Sequence, residues 1–481
     1  MSATSIDEAL VATSAGLVRG SVTEHALTYR GVPYAAPPSG ASRFAAPSPH
    51  EPWEGERDAR IAGPTAPQPF RSRLGDLDLS PFFGAGWVRG DDYLTVDIWS
   101  PRETTAPAPV VLFVHGGAFI AGSTGGPVYD GSAFARDGVV FVTANYRLGV
   151  SGFLHVPDAP DNRGMLDIAA ALRWIHDNIA QFGGDPGNVT LMGQSAGAII
   201  VSSLLTDTTV NGLFRRAIVQ SGSGTGAFTT QQAAMVSDRV GELLGRAPTA
   251  AALADVSDEE FVSVVPTVAH LDLTTPDAPR PLGGITVFGL VLDEQPARSL
   301  ITAAGHIPDL LIGDNADEST LYVAPQGQLA GTTESDLVAA AALFTDTPEG
   351  HVSTYRSGRE SLSLEQLRVG ILSDGMFGAG TRALADAHAA HTEAATHVYR
   401  FEWGSNAVAG QLRSSHLMEL PFVFDRTDVA ELHGENGLLG TSAPPAALSA
   451  DMHTAWVRYA TLGSPGWEAA SLDQRAVRRF G

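Results

Sequence analysis

The chain contains no cysteine. That excludes thiolate nucleophiles, cysteine-ligated zinc, iron–sulfur clusters and disulfides. Lysine is missing too: all 30 basic residues are arginine, which we read as a bias in codon composition. Without lysine there is no Schiff-base chemistry, no lysine-bound pyridoxal phosphate, no phosphate-loop lysine and no Ser-x-x-Lys acylase. Positive charge is scarce, since 53 acidic side chains leave a net charge of −23. Nucleic acid and anionic membrane surfaces would repel such a chain, and where part of that charge surrounds a pocket mouth the field favours neutral or cationic esters. Long hydrophobic runs are also lacking. Val110–Val114 and Val139–Val142 are strand-sized, far below the roughly 20 residues that span a bilayer. Met1–Glu8 has no basic stretch followed by an apolar core, so no leader is expected and the cytoplasm is the expected compartment.

With 481 residues, 44% of them hydrophobic and 17% charged, the composition is that of a globular protein with a large core. No fixed-period repeat occurs. The alanine-rich stretches Ala250–Ala254, Ala339–Ala342 and Ala383–Ala395 read as helix surfaces, and Pro33–Pro52, Pro64–Gly86 and Pro276–Gly284 as long loops. Between them strand and helix alternate. Val110–Val114, Val139–Thr143, Val189–Met192, Ala217–Gln220, Leu310–Gly313 and His397–Phe401 are short apolar runs suited to buried strands. Ile168, Leu172, Ile175 and Ile179 recur at helical spacing, and an apolar helix is predicted from Ala196 to Leu205. Such alternation implies βαβ units and a mostly parallel central sheet with helices on both faces.

Between one predicted strand and one predicted helix stands Gly193-Gln194-Ser195-Ala196-Gly197. A G-x-S-x-G turn in that setting is too tight for side chains at its flanks. It lifts the serine above the sheet edge and aims the positive end of the following helix at it. A serine hydroxyl is a poor nucleophile at neutral pH and needs a histidine base, itself oriented by an acid. In the strand–turn–helix hydrolases the chain order is serine, acid, histidine. His351, His388, His391, His397, His416 and His433 lie far enough along to serve. Asp314, Asp317 and Glu318, which follow the Leu310–Gly313 run, are candidate acids.

The surrounding residues carry a resemblance. Phe182-Gly183-Gly184, then Val189 through Gly197, matches the serine signature of the type-B carboxylesterases, a branch of the α/β-hydrolases. Asp91-Asp92-Tyr93-Leu94-Thr95-Val96-Asp97-Ile98-Trp99 resembles their second signature, with Tyr93 where cysteine is usual. Arg30-Gly31-Val32-Pro33-Tyr34-Ala35, Arg43-Phe44, Asn145-Tyr146-Arg147-Leu148-Gly149 and Trp456–Gly463 extend the likeness over nearly the whole chain. It implies one α/β-hydrolase domain over residues 1–481, with long loop and helical excursions.

The resemblance also implies the site. Ser414-Ser415-His416-Leu417-Met418-Glu419-Leu420-Pro421-Phe422 is similar to the family's histidine loop, with Leu417 where many members have glycine. Gly313-Asp314-Asn315-Ala316-Asp317-Glu318 is similar to its acid loop and puts Glu318 at the catalytic position. By the same match, backbone N–H groups of Gly117 and Ala118, in His115-Gly116-Gly117-Ala118-Phe119, join that of Ala196 in an oxyanion hole. Arg43 is expected to pair with Asp91, and Arg147 with Asp167. The implied activity is serine carboxylesterase action on small to medium neutral esters, with no cofactor and no metal. Gln194 leaves aryl carbamate or amide hydrolysis as an alternative, because some carbamate-cleaving relatives carry glutamine there where other members have glutamate. Some members of the fold are non-enzymatic adhesion or scaffold proteins, but those have lost a triad residue. Gly222-Ser223-Gly224-Thr225-Gly226 lacks dinucleotide-binding spacing and reads as a loop. His388, His391 and His397 do not share a helical face at metal spacing. Phe82, Phe83 and Trp87 suit core packing and pocket lining equally.

Overall fold

The β-branched and aromatic runs form the sheet. A computed structural model describes residues 9–473 and 475–481; Met1–Glu8, in which no leader is expected, lies outside them. Ten strands pair into one sheet: β1 (Ser21–Val22), β2 (Ala26–Pro33), β3 (Thr95–Pro101), β4 (Ala108–Val114), β5 (Val140–Ala144), β6 (Gly184–Gln194), β7 (Arg216–Gln220), β8 (Asp309–Asn315), β9 (Thr396–Phe401) and β10 (Val477–Phe480). Their spatial order is β10-β9-β8-β7-β6-β4-β5-β3-β2-β1. From β10 to β5 all pairs are parallel, while β5–β3, β3–β2 and β2–β1 are antiparallel. The six expected strands are all present. The antiparallel edge was not among them, because Ala26–Pro33 breaks its apolar pattern with Arg30, Gly31 and Pro33.

Alternation along the central strands feeds two cores. Val110, Leu112 and Val114 pack with Ile168, Leu172 and Ile175 of α1 (Arg163–Asn178) and with Ala198 and Ile199 of α2 (Ala196–Leu204). Val111 and Phe113 pack with Trp456 and Tyr459 of α3 (Ala446–Leu462) on the opposite face. Helical excursions fill the chain between β7 and β8 and between β8 and β9. Because β4 lies between β5 and β6, the strand order reverses at that point. In open parallel sheets the crevice at the carboxyl ends of such strands is where ligands bind. Both glycine-rich turns of the sequence fall there. Among the described residues no helix is long and apolar enough to cross a membrane.

The two expected ion pairs fare differently. Arg147 and Asp167 are fully buried and joined twice, Nη2 to Oδ1 at 2.7 Å and Nε to Oδ2 at 2.9 Å. The backbone N–H of Arg147 adds a third bond to Oδ2 at 3.0 Å, and its Nη1 donates to Ala45 O at 2.6 Å. Arg43 does not pair with Asp91, which is exposed. It binds Asp258 at 3.1 Å and the Val256 carbonyl, with its guanidinium over the Phe261 ring. These partners open the helix Asp258–Val268, over 200 residues along the chain, where no local pattern reveals them.

Breaking a buried pair from one side strands the other charge, at a cost of about 3–5 kcal/mol. Arg147→Ala should therefore lower Tm by several degrees while changing kcat far less. Thermal unfolding beside steady-state kinetics checks this, and loss of activity at an unchanged Tm would refute the structural role.

Candidate active site

Strand β6 ends at Gln194 and α2 begins at Ala196, which leaves Ser195 alone to make the turn. Its backbone sits at φ 55°, ψ −122°, a region that costs a non-glycine residue about 1–3 kcal/mol. The glycines on either side are required by contact. A Cβ on Gly193 would lie 2.5 Å from the Gly197 carbonyl oxygen, and one on Gly197 only 2.1 Å from that of Val114. The turn is held by Ser195 N–H donating to Gln220 O at 3.0 Å. The unsatisfied N–H groups and positive end of α2 then face whatever reacts at Ser195.

The second turn follows β4. Gly117, Ala118 and Phe119 have φ of 118°, 58° and 63°, a run of positive values that turns successive N–H groups to one side. The carbonyls are tied back. His115 O accepts from the Tyr146 hydroxyl at 2.8 Å, Ala118 O from the Thr286 hydroxyl at 2.8 Å, and Phe119 O from Gly149 N–H at 2.7 Å. Among the described residues the N–H groups of Gly117 and Ala118 have no acceptor. Gly116 permits the close fit, since a Cβ there would lie 2.9 Å from that of Ser195. His115 stacks on Tyr146, and burial pulls its pKa down to about 4, so it stays neutral.

Glu318 and His416 meet from two loops. His416 Nδ1 lies 2.6 Å from Glu318 Oε2, and both side chains are buried. Glu318 Oε1 accepts from the N–H of Asn315 at 2.8 Å, and His416 N–H donates to Glu318 O at 3.2 Å. The Phe377 ring stacks on the imidazole at 4.4 Å. On its other side His416 Nε2 faces the Gln194 side-chain amide nitrogen at 3.3 Å. A donor there keeps Nε2 an acceptor, the tautomer that a general base requires. Ser195 makes no hydrogen bond to His416, but the two line one cavity together with Gly117 and Ala118.

The competing acids lie elsewhere. Asp314 faces Arg400 at 3.4 Å, and burial pushes its pKa up to about 7. Asp317 donates its backbone N–H to Ser414 O. His388 is buried between the Thr396 hydroxyl and the Pro308 carbonyl, and His397 lies in β9. Gly222–Gly226 is a loop. Among the described residues no three histidine, aspartate or glutamate side chains gather as a metal site.

Several residues at the site had no reading in the sequence. The cavity beside Ser195 measures about 40 Å³ and is walled by Leu74, Leu79, Phe83, Leu321, Tyr322 and Leu417, with Arg71 among them. Phe83 thus lines the pocket, whereas Phe82 packs against Tyr129. Leu417 has φ 74°, so a branched side chain occupies a conformation that suits glycine. Behind His416, Glu419 is wholly buried. Its Oε2 accepts from the Asn315 amide at 2.6 Å and its Oε1 from that of Gln220 at 3.3 Å. The available signal was one carboxylate inside the apolar run Leu417–Phe424.

Burial, then repulsion from Glu318, pushes the Glu419 pKa from 4.5 up to about 7. A raised carboxyl pKa means that the folded state holds the proton more tightly than the unfolded chain does. Its stabilisation is therefore complete below about pH 4.5 and fades as pH rises through about 7, by up to about 3 kcal/mol. Glu419→Gln, which mimics the protonated form, should show a smaller fall in Tm between pH 5 and pH 8; Asp314 keeps its own share of that fall. Equal falls in the two proteins would sink this assignment.

The profile of the carboxylesterase family matches residues 7–475. The chain is 33% identical to the para-nitrobenzyl esterase of Bacillus subtilis strain 168, over 96% of its own length and 91% of that protein's. It is 30% identical to the phenmedipham hydrolase of Pseudarthrobacter oxydans, over 97% and 93%. Among solved structures, the carboxylesterase EST55 of Geobacillus stearothermophilus superposes with a TM-score of 0.82 at 32% identity, covering 98% of this chain and 96% of that one. A para-nitrobenzyl esterase structure gives 0.82 at 31%. With the fold and the family in agreement over its length, the chain belongs to the carboxylesterase family and is an α/β-hydrolase that cleaves carboxylic esters.

Proposed function

We propose that Ser195 is the nucleophile, His416 the general base and acid, and Glu318 the group that orients the imidazole. The N–H groups of Gly117, Ala118 and Ala196 form the oxyanion hole. The observation that carries this reading is the 2.6 Å bond from His416 to Glu318 beside a cavity that His416, Ser195, Gly117 and Ala118 share. His416 Nε2 takes the proton of Ser195 Oγ as the oxygen attacks the acyl carbon. The resulting oxyanion sits among the three N–H groups, and Glu318 stabilises the imidazolium. His416 then hands the proton to the leaving alcohol. Water, deprotonated by the same nitrogen, attacks the acyl-enzyme, releases the carboxylic acid and restores Ser195. The missing Ser195–His416 bond fits a resting site, because such bonds tighten when substrate binds.

The same reading treats residues 1–481 as one domain, supported by the pairing of β10, at the chain's end, with β9. It places the enzyme in the cytoplasm, which fractionation of the host cell tests. Ser195→Ala should keep the wild-type Tm, lose covalent labelling by sulfonyl fluorides or organophosphates, and lose at least about 10⁴-fold in kcat on p-nitrophenyl acetate. Persistent labelling at full stoichiometry would place the nucleophile elsewhere.

A further inference from the structure

Although the chain carries a net charge of −23, among the described residues no carboxylate lines the cavity beside Ser195. Its charged side chain is a cation, Arg71. Glu318, behind His416, is already committed to Asn315 and His416. Arg71 is half-buried, and among the described residues it has no hydrogen bond and no ion pair. Two fully buried arginines are, by contrast, richly bonded: Arg147 holds Asp167, and Arg163 donates to the carbonyls of Val150, Ser151, Leu154 and Pro160.

The position of Arg71 is set by its neighbours. Just after it, Ser72 O accepts from Leu79 N–H at 2.7 Å and closes a small hairpin of Arg73–Leu74 with Leu77–Asp78. The tip of that hairpin presses on a second segment, since a Cβ on Gly75 would lie 2.3 Å from Pro325 O. Pro325 follows Tyr322, which shares the cavity wall with Arg71. Burial pulls the Arg71 pKa below its usual range, because partial loss of water disfavours the charged form. A carboxylate would return what it lost, because the guanidinium fork makes paired, charge-assisted bonds to one.

Resting on the assignment of Ser195 as nucleophile, we propose that Arg71 determines specificity by binding a free carboxylate on the substrate. The favoured esters are then those with a carboxylate a few bonds from the scissile carbonyl, such as monoesters of short dicarboxylic acids. Arg71 and Ser195 line the same narrow cavity, so the link between the two groups is short. Attack by Ser195 releases the alcohol, and hydrolysis of the acyl-enzyme yields the dicarboxylic acid. The net negative charge opposes the anion only at long range, where salt screens it beyond about 10 Å; Arg71 acts at contact.

The test compares kcat/KM for monomethyl and dimethyl succinate, and for acetoxyacetate and its methyl ester, in wild type, Arg71→Gln and Arg71→Lys at fixed pH and ionic strength. In at least one pair the wild-type enzyme should favour the anion. That preference should fall at least ten-fold in Arg71→Gln, chiefly through KM, and only in part in Arg71→Lys. The pair that responds tells whether the carboxylate belongs to the acyl or the alcohol half. Succinate should also inhibit wild-type turnover of p-nitrophenyl acetate competitively, with a Ki raised at least ten-fold in Arg71→Gln. A wild-type preference for the neutral ester in both pairs, or a preference that Arg71→Gln leaves unchanged, overturns the proposal. Failure of the Ser195 assignment looks different: Ser195→Ala would then retain turnover of every ester.

Discussion

Two stretches of backbone, the end of β4 and the first turn of α2, lie closer together than any side chain between them would allow. A Cβ on Gly197 would sit inside the Val114 carbonyl, and one on Gly193 inside that of Gly197. The rest of the site depends on that approach. It forces Ser195 into its strained turn and brings the His115–Phe119 segment against the start of the helix. Strain at a single residue persists only where its surroundings over-determine it. Here β6 is clamped by parallel partners on both sides, with Gly193 in register with Val114 and Gln194 with Gln220.

The polar groups behind the site show a similar economy. Three carboxyl groups, Asp314, Glu318 and Glu419, are buried around the end of β8, and ionising them all would set like charges against one another in a poorly hydrated space. Asn315 separates two of them. Its backbone N–H serves Glu318, while its side-chain amide serves Glu419. Glu318 has the imidazole for a partner; Glu419 has only neutral amides, and burial pushes it towards protonation. Environment thus gives two glutamates in one network different partners, an imidazole for one and neutral amides for the other.

What was legible in the sequence follows from how local each cause is. The elbow at Ser195 is a strand, a turn and a helix in a row, so its glycines speak for themselves. The loops of Glu318 and His416 could be read only as family motifs, because their meeting joins residues 98 apart. Motif reading failed at Arg43, whose partners lie on a distant helix, and it missed Arg71, Phe377 and Glu419, whose surroundings come from several segments. Leu417 is the instructive departure. The structure holds a positive φ of 74° there with leucine in the place of the motif's glycine, a conformation that glycine adopts more easily.

This contrast also explains why the reaction is easier to read than the substrate. Ser195 and the N–H groups proposed for the oxyanion hole sit at the ends of β6 and β4, where sheet register fixes them, and Glu318 follows β8 within three residues. The cavity wall is assembled from short elements outside the sheet, around residues 71–83, 321–322 and 417. Elements of two to four residues are too short for a periodic pattern, so their chemistry carries no such signal. Charge shows the consequence most clearly. The total of −23 describes a field that salt attenuates within about 10 Å, whereas one unpaired guanidinium inside a narrow cavity meets a substrate with little water between them. A sum over the sequence therefore describes how a ligand approaches, and a single side chain decides what is held.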